Sequence, residues 1–301
     1  MHEPPQIPHA LYPFEGHTLD RGGLRYHYLD EGQGAPVVMV HGNPSWSIYY
    51  RALVQGLSGS HRCIVPDHIG CGLSDKPGDD RYGYRLADRV ADLEALIAHT
   101  CPEGPLTLVA HDWGGMIAMA YAVRHPERIA RIVLLNTAAF HLPAHMQVPA
   151  AIATVRNTPL GAFAVRGFNA FSRGAAWVGC KQHPMSAELR AAYCAPYDSW
   201  DNRIATLRFV QDIPLSPTDP SYELVSEIEQ GLSLFGDTPI LLCWGMRDFV
   251  FDGRVLDVFV EHWPHAEVER YPECGHYVLE DASEAVVARI GEFLRTHPPA
   301  P

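Results

Sequence analysis

Five short apolar runs dominate this chain: VVMV (37–40), CIV (63–65), LTLVA (106–110), RIVLL (131–135) and ILLC (240–243). Each is continuous rather than alternating and is bounded by turn residues, the pattern of strands buried on both faces of a parallel sheet. Parallel neighbours need long crossovers, usually helical, and helical patterns lie between the runs. Leu86, Val90, Leu93 and Ile97 form one stripe, with Arg85, Asp88, Asp92 and Glu94 opposite. Near the end, Asp281 and Glu284 read as a capping-box start for a stripe of Val286, Ile290, Phe293 and Leu294. LRYHYLD (24–30) alternates and suits an antiparallel strand after the Gly22-Gly23 turn. The expectation is an α/β fold with a mostly parallel central sheet, helices on both faces and right-handed crossovers.

Residues 140–236 break the rhythm. They contain no comparable strand run and are interrupted at Pro159, Pro184, Pro196, Pro214 and Pro217. The interval reads as an inserted helical cap. That divides the chain into a core domain, 1–139 and 237–301, and a cap, 140–236. Phe140, Phe163, Phe168, Phe171, Trp177 and Trp200 are candidates to line an alkyl slot there, against the plainer reading that they fill the cap's own core. Arg203 and Arg208 are expected to pair with Asp201 and Asp212 rather than to bind substrate.

Charge narrows the partners. Twenty-three basic residues against 35 acidic ones give a formal net charge of −12, which repels phosphate backbones and anionic membranes and makes nucleic acid and lipid headgroups poor first guesses as partners. No apolar run approaches the ~20 residues of a membrane helix. The first residues, MHEPPQIPHALYPFEGH, show no basic start and no apolar stretch, so no secretory signal is visible. Seven scattered cysteines without a C-x-x-C suit reduced thiols and a cytoplasmic setting. His141 and His145 are spaced i, i+4, but Pro143 intervenes, and neither a metal nor a nucleotide motif is present.

The chemistry concentrates at four points. In LTLVAHDWGGMIAMAYA a strand ends at Ala110, His111-Asp112-Trp113-Gly114-Gly115 make a turn, and a helix follows. This is the strand–turn–helix of a nucleophile elbow with Asp112 in the nucleophile slot; the plainer reading is a helix cap. His41-Gly42-Asn43-Pro44-Ser45-Trp46 follows VVMV, where an HG motif sets a backbone N–H in an oxyanion hole. Asp248 follows ILLC, and His276 lies in ECGHYVLED. Nucleophile, acid and histidine thus occur in the order 112, 248, 276, with Asp252 a rival acid.

These motifs resemble the α/β-hydrolase superfamily, and HGNPSW with HDWGG resembles its haloalkane dehalogenase-like branch. The resemblance implies that Asp112 is the nucleophile, that His276 is the base oriented by Asp248, and that Asn43 and Trp113 donate side-chain N–H groups to a leaving group. An acid at 248, with Asn136 where another subfamily keeps Glu, resembles the third dehalogenase subfamily. DHIGCGLSDKP (67–77), NTAAF (136–140), PYDSWDNRIATLRFVQDIPL (196–215) and WGMRDFVFD (244–252) are similar to the β-lactone decarboxylases of bacterial long-chain olefin biosynthesis.

That resemblance implies a cofactor-free lyase that converts a long-chain cis-β-lactone to a cis-alkene and CO₂ or bicarbonate. It also implies a hydrophobic small-molecule substrate and assembly with other enzymes of the olefin pathway. A haloalkane dehalogenase would use the same residues. An epoxide hydrolase would need cap tyrosines, with Tyr193 and Tyr197 as candidates. A non-catalytic scaffold would have no use for Asp112, Asp248 and His276 together.

Overall fold

A computed structural model describes residues 7–143 and 146–299. Eight strands form one sheet: β1 (Gly16–Asp20), β2 (Arg25–Glu31), β3 (Pro36–Val40), β4 (Arg62–Pro66), β5 (Leu106–Asp112), β6 (Ile129–Thr137), β7 (Ile240–Gly245) and β8 (Glu267–Tyr271). Their order is β1-β2-β4-β3-β5-β6-β7-β8. The β1/β2 and β2/β4 pairs are antiparallel and all others are parallel. The five apolar runs form β3 to β7, and 24–30 supplies β2. The edge strands β1 and β8, GHTLD and EVERY, have no apolar run because an edge exposes much of its surface.

Register explains why the inner runs are apolar throughout. Val38, Leu108, Ile132 and Ile240 lie in one row across β3, β5, β6 and β7 and pack on one face. The next row, Met39, Val109, Val133 and Leu241, packs on the other. The first face is covered by α2 (Leu86–Thr100), α3 (Trp113–Arg124) and α10 (Gly253–His262). The second is covered by α1 (Arg51–Leu57), α11 (Val278–Asp281) and α12 (Ser283–Thr296).

Between β6 and β7 the described residues contain helices, 3₁₀ turns and connecting loops but no strand. The helices are α4 (Ala150–Asn157), α5 (Pro159–Phe168), α6 (Ala170–Val178), α7 (Ala187–Cys194), α8 (Ile204–Gln211) and α9 (Tyr222–Gly231). The last packs against α3 and adds Val225 and Ile228 to the sheet's core. Among the described residues no helix is long and apolar enough to cross a membrane.

Three local expectations are corrected. Asp281 does not cap α12; its carboxylate accepts backbone N–H groups from Lys181, Gln182, His183 and Gly275 at 2.6–2.9 Å. Asp92 is buried, held by Arg21 at 2.9 Å and the Tyr82 hydroxyl at 2.7 Å, because α2 is covered on more than its apolar stripe. Arg203 donates to four backbone carbonyls, and Arg208 pairs with Asp79; Asp212 pairs with Arg85 instead. Of the two histidines at i, i+4, His141 bonds Ser226, and His145 lies outside the described residues.

Glycine is required where α3 leaves the sheet. A Cβ on Gly114 would stand 1.9 Å from the Val40 carbonyl oxygen, on a backbone that cannot yield. Gly114→Ala should therefore lower the unfolding free energy by about 2 kcal/mol or more in a denaturant titration. An unchanged midpoint would contradict this packing.

Candidate active site

Asp112 is the last residue of β5, and Trp113 opens α3. Its backbone is at φ 53°, ψ −128°, a region that costs a non-glycine residue on the order of 1–3 kcal/mol and persists only where the surroundings enforce it. Here they do. Thr137 Oγ1 donates to the Asp112 carbonyl, and the crossing at Gly42 leaves no room for a Cβ beside the Asp112 carboxylate. The side chain makes no bond to the second- or third-residue amides of α3, as a capping side chain would, and is turned toward Asn43 and His276 instead.

That carboxylate is buried and has two different sides. Oδ1 accepts the Asn43 backbone N–H at 2.6 Å, and the Trp113 backbone N–H also stabilises the charge. Oδ2 lies 3.6 Å from His276 Nε2. Burial raises the Asp112 pKa above the ordinary carboxylate value, and His276 with the two N–H groups only partly offsets it.

His276 Nδ1 donates to Asp248 Oδ2 at 2.8 Å, and Asp248 Oδ1 is itself fixed by the Val250 N–H at 2.7 Å. Burial opposes a charged ring here, but Asp248, then Asp112, outweighs it and leaves the His276 pKa raised. Asp252, the rival acid, caps α10 through the Arg254 N–H and pairs with Arg254. The structure thus brings Asp112, His276 and Asp248 into one line of contact.

Asn43 and Trp113 also reach the site and line its cavity. Asn43 Nδ2 donates to the Thr206 carbonyl of α8 at 3.1 Å, which commits one of its two N–H groups. Asn136, at φ 29°, bridges β6 to β7: its amide exchanges bonds with Gly245 and reaches the Phe251 carbonyl, steadying the loop that carries Asp248.

Two contributors were not singled out from the sequence. His111 Nε2–H donates to the His276 carbonyl at 2.9 Å, and burial drives its pKa well down, so it is a neutral support. Its place beside the elbow residue was the available signal. Arg89 is buried with its guanidinium 3.6 Å from the Phe209 ring centroid and 6.0 Å from that of Trp113. It follows Leu86 by three on the α2 stripe, where a charge is out of pattern.

Asp112, His276, Asn43 and Trp113 face a cavity of ≈ 350 Å³ whose remaining lining is almost wholly apolar. Only Phe140 and Phe171 of the six expected aromatics line it. Phe163, Phe168 and Trp177 on the helices, and Trp200 in the turn before residue 201, are 45–65% exposed. Aromatic content alone cannot say which face of a short helix turns inward. Smaller apolar groups from α4, such as Ile152 and Val155, line the wall instead. Tyr193 and Tyr197 do not line the cavity; Tyr193 is buried against Glu280, with its hydroxyl at 2.5 Å.

Residues 35–283 match the family model of the alpha/beta hydrolase fold, and the chain belongs to that family. It is 58% identical to a cis-3-alkyl-4-alkyloxetan-2-one decarboxylase of Shewanella oneidensis, covering 95% of this chain and 90% of that protein. It is 49% identical to one of the same name from Xanthomonas campestris, covering 95% and 98%. Haloalkane dehalogenase 2 of Mycobacterium tuberculosis is 31% identical, covering 94% and 96%.

The folded pKa of His276 lies above the ordinary imidazole value of 6.5. Its protonation therefore stabilises the fold fully below about pH 6.5, and that contribution is lost as pH rises through the folded value. Asp248→Asn should lower the His276 midpoint in an NMR titration and remove the extra stability at the acid end, with Asp112→Asn lowering it less. An unmoved midpoint in Asp248→Asn would contradict the assignment of cause.

Proposed function

We propose that this protein is a β-lactone decarboxylase that turns a cis-3,4-dialkyl β-lactone into a cis-alkene and CO₂, with Asp112 as nucleophile. The observation that carries the reading is the buried Asp112 carboxylate, opposed by His276 at the polar end of an otherwise apolar cavity. The choice of a lactone over a halide is supported by identities of 58% and 49% to proteins named for that decarboxylation, against 31% to a dehalogenase.

An ionised carboxylate needs no base to attack. Oδ1 is engaged by the Asn43 N–H, so Oδ2 is the attacking oxygen. It bonds to the ring's sp³ C–O carbon; that C–O bond breaks and its pair stays on the ring oxygen, now part of a free carboxylate. Asn43 and Trp113 are the donors for that carboxylate. Next the C–C bond to the carboxylate carbon breaks, its electrons form the alkene, and Asp112 leaves with its own pair. CO₂ departs, and neither water nor redox chemistry is needed. Inversion followed by anti elimination keeps a cis lactone cis. Attack at the lactone carbonyl would instead break the ring's acyl C–O bond, leave its pair on the ring oxygen as an alkoxide that protonated His276 can protonate, and give a mixed anhydride on Asp112 that His276 then helps resolve.

With an alkyl halide the same attack would leave an alkyl ester, and His276 would direct water at its carbonyl while the N–H groups on Oδ1 hold the oxyanion, each worth roughly 3–4 kcal/mol. We read residues 140–236 as the cap that supplies the alkyl wall. The cytoplasmic setting is supported by seven cysteines, none of them paired. Partner enzymes of an olefin pathway belong to the same reading.

Offering a cis-β-lactone and a 1-bromoalkane side by side tests the choice. The lactone should give cis-alkene at a rate well above bromide release; faster bromide release would transfer the assignment to dehalogenation. Asp112→Ala should lose at least about 10⁴-fold in kcat while keeping its unfolding midpoint. With His276→Gln, an adduct accumulating on intact protein marks the anhydride route, and continued turnover marks direct elimination.

A further inference from the structure

We propose that the outer face of α5 and α6 docks on an anionic phospholipid bilayer, so that the cavity is filled from the lipid phase. Leu160, Phe163 and Phe168 of α5 are exposed by 74%, 51% and 65%, and Trp177 of α6 by 65%. They form one patch. Phe163 packs edge-on against Phe168, with centroids 5.6 Å apart, and lies 5.9 Å from exposed Trp200. Phe168 and Trp177 flank a single surface groove whose charged lining is Arg173, Arg190, Arg203 and Asp198.

Large apolar side chains gathered on one face are unusual for a chain surrounded only by water. Their rim carries more arginines than acids: Arg166, Arg173, Arg190 and Arg203 against Asp198 and Asp201. Arg166 stacks over Trp200 at 4.8 Å, and Arg190 over Trp177 at 3.8 Å. Indole with guanidinium suits the headgroup layer, where the ring sits shallowly and the charge stays wet.

Charge selects the occupant. Residues 150–203, which span the whole patch, carry Arg156, Arg166, Arg173, Lys181, Arg190 and Arg203 against Glu188, Asp198 and Asp201, a local charge of +3 in a chain of −12, so the remainder carries −15. Arg156 and Arg166 are paired with acids. Among the described residues neither Arg173 nor Arg190, both in the groove, pairs with a carboxylate, and Arg190 donates to the Met185 carbonyl. An acidic protein with one basic, aromatic face is oriented by a negative surface: that face is drawn in and the rest held off.

The face also borders the cavity. Val178, next to Trp177, is 44% exposed yet lines the cavity together with Phe171, Gly174 and Ala175 of α6. A lipophilic molecule entering there would pass from acyl chains to apolar wall without crossing water. The identity of that cargo rests on the decarboxylase reading; the docking does not.

Sedimentation with vesicles of phosphatidylglycerol and phosphatidylethanolamine tests it, with phosphatidylcholine vesicles as the neutral control. The full chain should partition to the anionic vesicles at least about tenfold better than to the neutral ones. The variant Phe163→Ser/Phe168→Ser/Trp177→Ser and the variant Arg173→Glu/Arg190→Glu should each lose at least about tenfold. Both should keep the wild-type circular dichroism, unfolding midpoint and turnover of a water-soluble short-chain substrate. Asp112→Ala should bind vesicles like the wild type, so failure of the chemistry and failure of the docking are distinguishable. Three results would overturn the proposal. The first is equal vesicle binding by the patch variants. The second is no vesicle binding at all, which hands the face to a protein partner. The third is self-association of the free chain that the serine variant abolishes, which hands it to a second copy.

Discussion

The Asp112 carboxylate is held out of water, 3.6 Å from the ring of His276. A buried charge is expensive unless it is paired and hydrogen-bonded, and the surrounding structure meets that demand from several directions. The Asn43 N–H comes from the end of β3, the Trp113 N–H from the start of α3, and His276 from the loop after β8. The sheet order sets β3 beside β5, so the first two converge with no side chain spent on the purpose. Burial still raises the Asp112 pKa.

Two further polar side chains hold the loops in place. Asn136 ties the end of β6 to Gly245 and Phe251, on either side of Asp248. Asp281 gathers N–H groups from the inserted segment at 181–183 and from Gly275, next to His276. One buried carboxylate therefore couples the position of the inserted helices to the position of the histidine. Neither residue touches the cavity. Both act on geometry, which in a site of this kind must hold to a fraction of an ångström.

What was legible in the sequence follows from what each feature requires. The inner strands were legible because burial on both faces forces a continuous apolar run. The elbow was legible because so sharp a bend from strand to helix demands a small residue at 114, and the carboxylate that meets His276 was legible from its place after ILLC. The edge strands were not, since they face solvent. Asp281 looked like a helix cap because three of its four partners lie about a hundred residues away. The inserted aromatics were illegible for a related reason. Short helices broken by prolines carry no periodicity long enough to fix which side is inward, and four of the six aromatics turn outward. Those four are the material of the proposed bilayer face.

Covalent attack by the 112 side chain is the claim on which lactone and halide chemistry both depend. Peptide mapping by mass spectrometry after incubating His276→Gln protein with a 1-bromoalkane measures it directly. The account predicts one alkyl group, esterified to the peptide spanning residue 112 and absent when Asp112→Asn is added. An alkyl group on another residue, or halide release with the peptide unmodified, would contradict it.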